Sequence, residues 1–346
     1  MRRSDLEGLR EPWATARVGR VPFGAQEAFT EAKASALRAL AMDSGSADAQ
    51  VALGTVLFLS EWDWTAAERS LQRALEINPD HTEALLQYGS LQEALGRLDD
   101  GLRCKQQALA RDPRSPGVLV QIAISYWHQR KYDDTLVWAR RALEVDPKHV
   151  LASQFIMHVY VKIGDINRFA AWTVSQALAW GFPEERVAAM KQVIADMQQV
   201  YTTAGLSGVR RFLVDQITNP QLDFDILLKM AFFRAVLYGA AGRLDEAFDC
   251  LDQAIADRAP ALVHLAVGPD WDGLRADQRF NERLKRMALP SVCECCLRRS
   301  EASCGLAYQP DSIRRECISV GSALFLSWVA TRKNPTASTT TLPRQR

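Results

Sequence analysis

Large and small apolar residues recur along this chain at helical spacing, and the pattern resets about every 34 residues. Leu85 and Tyr88, then Leu119, Ile122 and Tyr126, mark one apolar face per helix. Small residues stand where two helices must approach closely. Gly54, Gly89 and Ala123 lie on the first helix of each pair, and Ala67, Gly101 and Thr135, then Ala74, Ala108 and Ala142, lie on the second. Punctuation follows the same period. Pro79, Pro113 and Pro147 close the blocks Arg73-Ala-Leu-Glu-Ile-Asn-Pro79, Gln107-Ala-Leu-Ala-Arg-Asp-Pro113 and Arg141-Ala-Leu-Glu-Val-Asp-Pro147, because proline can neither donate nor continue a helical turn. Within each pair, Gly96-Arg-Leu-Asp-Asp100, Arg130-Lys-Tyr-Asp-Asp134 and Gly164-Asp-Ile-Asn167 read as the turn. The glycine supplies a left-handed stop, and the aspartate is expected to cap the next helix.

These positions predict an all-α fold, an α-α superhelix of antiparallel helix pairs starting near residues 47, 82, 116 and 150, after a half-repeat at about 26–43. A helix–turn–helix period of 34 residues with this small, aromatic and proline pattern resembles the tetratricopeptide repeat. From about 184 the register loosens. A long helix with a break at Gly205 and a partner from Leu206 to Ile217 is expected, before Gly242-Arg-Leu-Asp-Glu246 restores the turn. The domain reading is an N-terminal segment 1–25, a regular array 26–183, an atypical pair 184–227, a terminal repeat with closing helices 228–290, and a cysteine-containing tail 291–346 read as disordered, in which Ile318 to Thr331 suggests one short helix.

From about Pro22 to Pro290 the chain resembles one bacterial group of such arrays, on three stretches: Ala28-Phe-Thr-Glu-Ala-Lys-Ala-Ser-Ala-Leu-Arg-Ala-Leu40, Glu61-Trp-Asp-Trp-Thr-Ala-Ala-Glu68, and the closing run from Val263 to Pro290. In that group the array usually forms the C-terminal half of adenylate/guanylate cyclase-like, winged-helix regulator or serine/threonine-kinase proteins. The resemblance implies a binding array that serves an effector domain, and residues 1–21 are too few to hold one. Asp272-Gly273 and Asp277-Gln278 stand where the group tends to carry Asp-Pro, and Ser153 and Met157 depart from the fourth repeat's large and small apolar positions.

Composition narrows the function classes. With 42 basic and 41 acidic residues the formal net charge is +1, so no global field favours nucleic acid or an anionic membrane. No signal peptide is read at the start, and the apolar run Ala323 to Ala330 is far short of a bilayer span. Seven cysteines, an odd number, suggest reduced thiols and a cytoplasmic location. Phosphate loops, His-Glu-x-x-His helices and nucleophile elbows are absent from the sequence. The five histidines do not pair at ligand spacing, and His81 and His149, each two residues after a repeat-ending proline, read as caps or loop residues. Cys293, Cys295, Cys296, Cys304 and Cys317 lack zinc-knuckle spacing. The expectation is a non-enzyme without metal or cofactor, a scaffold or sensor for a protein or peptide partner, with no direct nucleic-acid or membrane contact. The alternative is the regulatory half of a signalling protein, a nucleotide cyclase or DNA-binding regulator whose effector domain is missing or separately encoded.

A superhelix of this kind lines its concave groove with first-helix residues. Helical register assigns Thr55 and Phe58, Ser90 and Glu93, Ile124, Trp127 and His128, then Gln154, His158 and Lys162 to that groove as the partner-binding residues. Val51, Thr55, Leu86 and Ser90 stand where a carboxylate clamp needs lysine and asparagine, so a hydrophobic or amphipathic peptide is expected instead. The pair Trp62 and Trp64 is read as packing over the end of the first helix pair rather than as a binding hot spot.

Overall fold

The computed structural model describes residues 25–218 and 231–291. The cysteine cluster from Cys293 to Cys317, the tail helix and most of the N-terminal segment lie outside the described residues. Within them every regular element is helical, and none is long and apolar enough to cross a membrane. Helix α1 (Ala25–Met42) packs on α2 (Ala47–Val56), which runs on through a π-turn (Leu57–Glu61). Hairpins follow: α2 with α3 (Trp64–Ile77), α4 (Thr82–Ala94) with α5 (Leu98–Arg111), α6 (Pro116–His128) with α7 (Tyr132–Val145), and α8 (Val150–Lys162) with α9 (Ile166–Ala179). Helix α10 (Glu184–Thr218) is broken at Gly205, whose φ of 60° and ψ of −160° suit only glycine. Helices α11 (Ala231–Ala240) and α12 (Leu244–Ala256) form the last hairpin. The chain then passes through two 3₁₀ turns (Pro260–His264 and Pro269–Trp271) into α13 (Gln278–Arg286).

Local chemistry explains the punctuation. Asn78, Asp112 and Asp146, each just before a repeat proline, accept from the amide two residues on, which turns the chain toward the next helix. That helix is capped by His81 Nδ1 on Ala84 N, Ser115 Oγ on Val118 N, or His149 Nδ1 on Ala152 N. The histidines are therefore caps. The turn aspartates divide into two kinds. Asp63 and Asp165 cap their helices, whereas Asp99, Asp100, Asp133 and Asp134 lie inside the first turn behind the uncapped Arg97 and Lys131. There they act on the helix dipole instead. The fourth hairpin compensates its own departures: buried Ser153 accepts from Trp172 Nε1, and buried Met157 from the Thr173 hydroxyl.

Helix α4 meets α5 backbone to backbone. A methyl group added to Gly89 would lie 2.8 Å from the carbonyl oxygen of Gly101, and one on Gly101 would lie 2.6 Å from that of Gly89. Gly89→Ala is expected to lower stability by about 1–3 kcal/mol despite alanine's better helix propensity. Urea unfolding measures this, and a loss below about 0.5 kcal/mol would mean that the helix pair can spread at little cost.

Beyond α12 the chain folds back on the array. Arg258 donates to the Glu61 carbonyl at 2.8 Å and lies over the Trp62 ring. Trp64 Nε1 donates to the Met287 carbonyl at 2.7 Å, across 223 residues. The two tryptophans thus hold the C-terminal segment against the first hairpin, a longer reach than packing over the end of that hairpin.

Candidate functional site

The concave face is where the first helices should present their binding residues. Of the ten assigned to it, Thr55, Phe58, Ser90, Glu93, Trp127, His128 and Lys162 are buried, while Ile124, Gln154 and His158 are half-buried. What meets them at several points is the chain's own segment 260–275. His264 Nε2 lies 3.3 Å from the Ser90 carbonyl, and its ring packs against His128 and edge-on to Phe58. Lys162 donates to the Pro269 carbonyl at 2.9 Å. Leu262, Leu265, Ala266 and Val267 in this segment are completely buried, and Trp271 nearly so. An open groove across all ten positions is therefore corrected: its centre is core. Apolar side chains on both sides exclude water there, and the segment satisfies the polar groups that the first helices aim inward.

Two charge clusters lie at this contact. In the first, Glu93 at the end of α4 is fully buried with Lys105 of α5. Lys105 Nζ donates to Oε1 at 2.8 Å, Ser125 Oγ donates to the same oxygen, and His128 Nδ1 lies 2.9 Å from Oε2. Burial raises the Glu93 pKa, but the Lys105 charge and then His128 reverse this and hold the carboxyl near 2. In the second, Asp272 receives Arg130 Nη2 at 2.5 Å and Arg275 Nε at 3.0 Å on Oδ1, and Lys162 at 3.3 Å on Oδ2. Burial again works against ionisation, and Lys162, Arg130 and Arg275 overcome it, holding Asp272 near 2. The same cations also staple backbone: Arg130 donates to the carbonyls of His128 and Val267, and Arg275 to those of Ala266 and Gly268.

The sequence reading assigned Glu93, His128 and Lys162 to the concave face but missed their partners, His264 and Asp272. One signal was available. An acid, an imidazole and an amine recur at the inward end of successive first helices, among apolar neighbours, where each needs a counterpart.

Near these clusters His158 Nε2 and Asp270 Oδ1, like Gln129 Nε2 and Arg130 Nε, are buried without a hydrogen-bond partner. Burial pushes His158 down to about 3. For Asp270 burial is the largest influence and Asp272 adds to it against Lys162, raising the carboxyl to about 6. The two act in opposite senses. The folded His158 titrates below its unfolded value of about 6.5, so the stability present above that pH is lost as pH falls toward 3. The folded Asp270 titrates above its unfolded value of about 3.9, so its contribution is complete below that pH and lost as pH rises through about 6. Asp270→Asn should therefore gain stability over wild type more at about pH 7.5 than at about pH 5, and His158→Phe the reverse. Urea unfolding at both pH values checks both signs.

Comparison with known proteins agrees with the repeat reading. Residues 58–119 match the tetratricopeptide repeat model. No curated protein matches the chain. Among solved structures, a tetratricopeptide repeat protein from Parabacteroides merdae is 16% identical, with a TM-score of 0.46 over 82% of this chain and 99% of that one. A thermophilic TPR protein of Thermus thermophilus is 20% identical, with a TM-score of 0.37 over 70% and 99%. The described residues form an all-helical array of antiparallel helix pairs, and the stretch 58–119 within it matches the tetratricopeptide repeat.

Proposed function

We propose that this protein is a non-catalytic scaffold that binds a protein or peptide segment on the part of its concave face left open by segment 260–275. The observation that carries the reading is the half-exposed strip Ile124, Gln154 and His158, on successive first helices of a repeat array. An apolar side chain beside an amide suits a short mixed segment, apolar with hydrogen-bonding groups. Trp127 is nearly fully buried against Tyr132 and Phe155, so its replacement would test folding rather than binding. The surface variant Ile124→Asp with Gln154→Arg is the better probe. Affinity capture should recover a partner with wild type and lose it with this variant at an unchanged melting temperature. Full retention would remove the strip as the docking site.

The likeness of residues 22–290 to regulator-borne arrays supports a second reading, that the chain is the regulatory half of a signalling protein, a nucleotide cyclase or DNA-binding regulator, whose effector domain is missing or separately encoded. An in-frame cyclase, winged-helix or kinase domain upstream of Met1 would support this reading, and a nearby stop codon would count against it.

A further inference from the structure

We propose that Glu93, His128 and His264 form a zinc site that clamps segment 260–275 to the repeat array. The three residues come from the end of α4, the end of α6 and the first 3₁₀ turn of the closing segment. They are 35 and 136 residues apart in sequence, which is why no ligand spacing shows there. Each offers one ligand atom, and these atoms all lie within 4.8 Å of one another. Two imidazole nitrogens and a carboxylate oxygen are a borderline donor set that suits zinc.

Two features of the surroundings fit a metal. Lys105 and Ser125 both address Oε1 of Glu93, which leaves Oε2, the oxygen toward His128, as the monodentate donor. Hydrogen-bonded support of a ligating carboxylate in this way is usual around protein-bound metals. The rings of His128 and His264 lie with centroids 4.6 Å apart and planes 34° from parallel. The two imidazoles and the carboxylate thus converge from three chain segments. This inference stands apart from partner docking at Ile124 and Gln154 and does not depend on it.

Cobalt(II) titration of the full-length, metal-stripped protein tests it, because tetrahedral cobalt reports its ligands in visible absorption. Wild type should take up one equivalent with strong visible d–d bands, and one equivalent of zinc should abolish them. His264→Gln keeps a donor for the Ser90 carbonyl but removes the imidazole. It should melt like metal-free wild type and show no such bands. Ser125→Ala should weaken binding roughly 10–100-fold, as expected for the loss of a group that orients a ligand. Absence of tight cobalt or zinc binding by wild type would overturn the proposal, and so would undiminished bands in His264→Gln. A thiolate-to-cobalt charge-transfer band that survives His264→Gln would assign the metal to cysteines and overturn it as well.

Discussion

Glu93→Ala is expected to unfold with about 3–5 kcal/mol less free energy than wild type, measured by urea titration in the presence of a chelator. The cause is what the substitution leaves behind. Lys105 is as deeply buried as Glu93, with neither side chain exposed. Without the carboxylate its ammonium loses its counter-charge in a site that water does not reach, and Ser125 and His128 lose their acceptor. A buried ion pair adds little against apolar packing of the same volume, yet losing one member is costly. Glu93→Leu combined with Lys105→Met should therefore be far less damaging than Glu93→Ala or Lys105→Met alone. The pH dependence has a definite sign. The folded carboxyl is held near 2, below its unfolded value of about 4.3, so its stabilisation is complete above that value and lost as pH falls toward 2. Wild type should show this acid limb and the double variant should lack its largest part. A Glu93→Ala loss under about 1 kcal/mol would mean that Lys105 reaches water once the acid is gone.

How much of this was legible in the sequence depended on distance along the chain. The hairpins were, because their determinants are local: Gly89 facing Gly101, the Asx turns at Asn78, Asp112 and Asp146, and the left-handed glycines at 96, 164 and 242 all act within one or two repeats. Arg130 fills the same left-handed place with φ at 59°, a strain that its contacts to His128, Val267 and Asp272 offset. The first-helix register was legible too, and it put Glu93, His128 and Lys162 on the concave face. The occupant of that face was not. His264 meets Ser90 across 174 residues and Lys162 meets Asp272 across 110, and no periodicity connects such pairs. The closing run was recognisable as a segment, but two 3₁₀ turns and a short helix carry no repeat pattern that says where they dock. The three partly open residues, Ile124, Gln154 and His158, therefore emerge from the ten only once the path of segment 260–275 is known.

Asp272→Ala is expected to release that segment. Arg130 comes from the turn after α6, Lys162 from the end of α8 and Arg275 from the closing segment itself, and all three converge on one carboxylate that is 14% exposed. Removing it leaves three mostly buried cations repelling one another and costs about 3–5 kcal/mol. Their carbonyl contacts remain, but each cation then loses the charge of Asp272 in a place of low effective dielectric. Because the cluster joins the segment to the array rather than two helices within it, the loss should appear first as local opening. Backbone amides of Leu265, Gly268 and Leu274, which donate within the segment, should exchange with deuterium faster by about two to three orders of magnitude, since each 1.4 kcal/mol is about a factor of ten. Amides of α6 and α7 should change much less. Asp272→Asn, which keeps an acceptor oxygen but no charge, should fall between wild type and Asp272→Ala. Arg279→Ala is the control: its ion pair with Asp245 is open to solvent and is expected to contribute no more than about 1 kcal/mol. Equal acceleration throughout the array in Asp272→Ala would show that the segment and the repeats unfold as one unit. Acceleration confined to 260–275 would instead place the weakest seam of the molecule between the array and the segment that fills it.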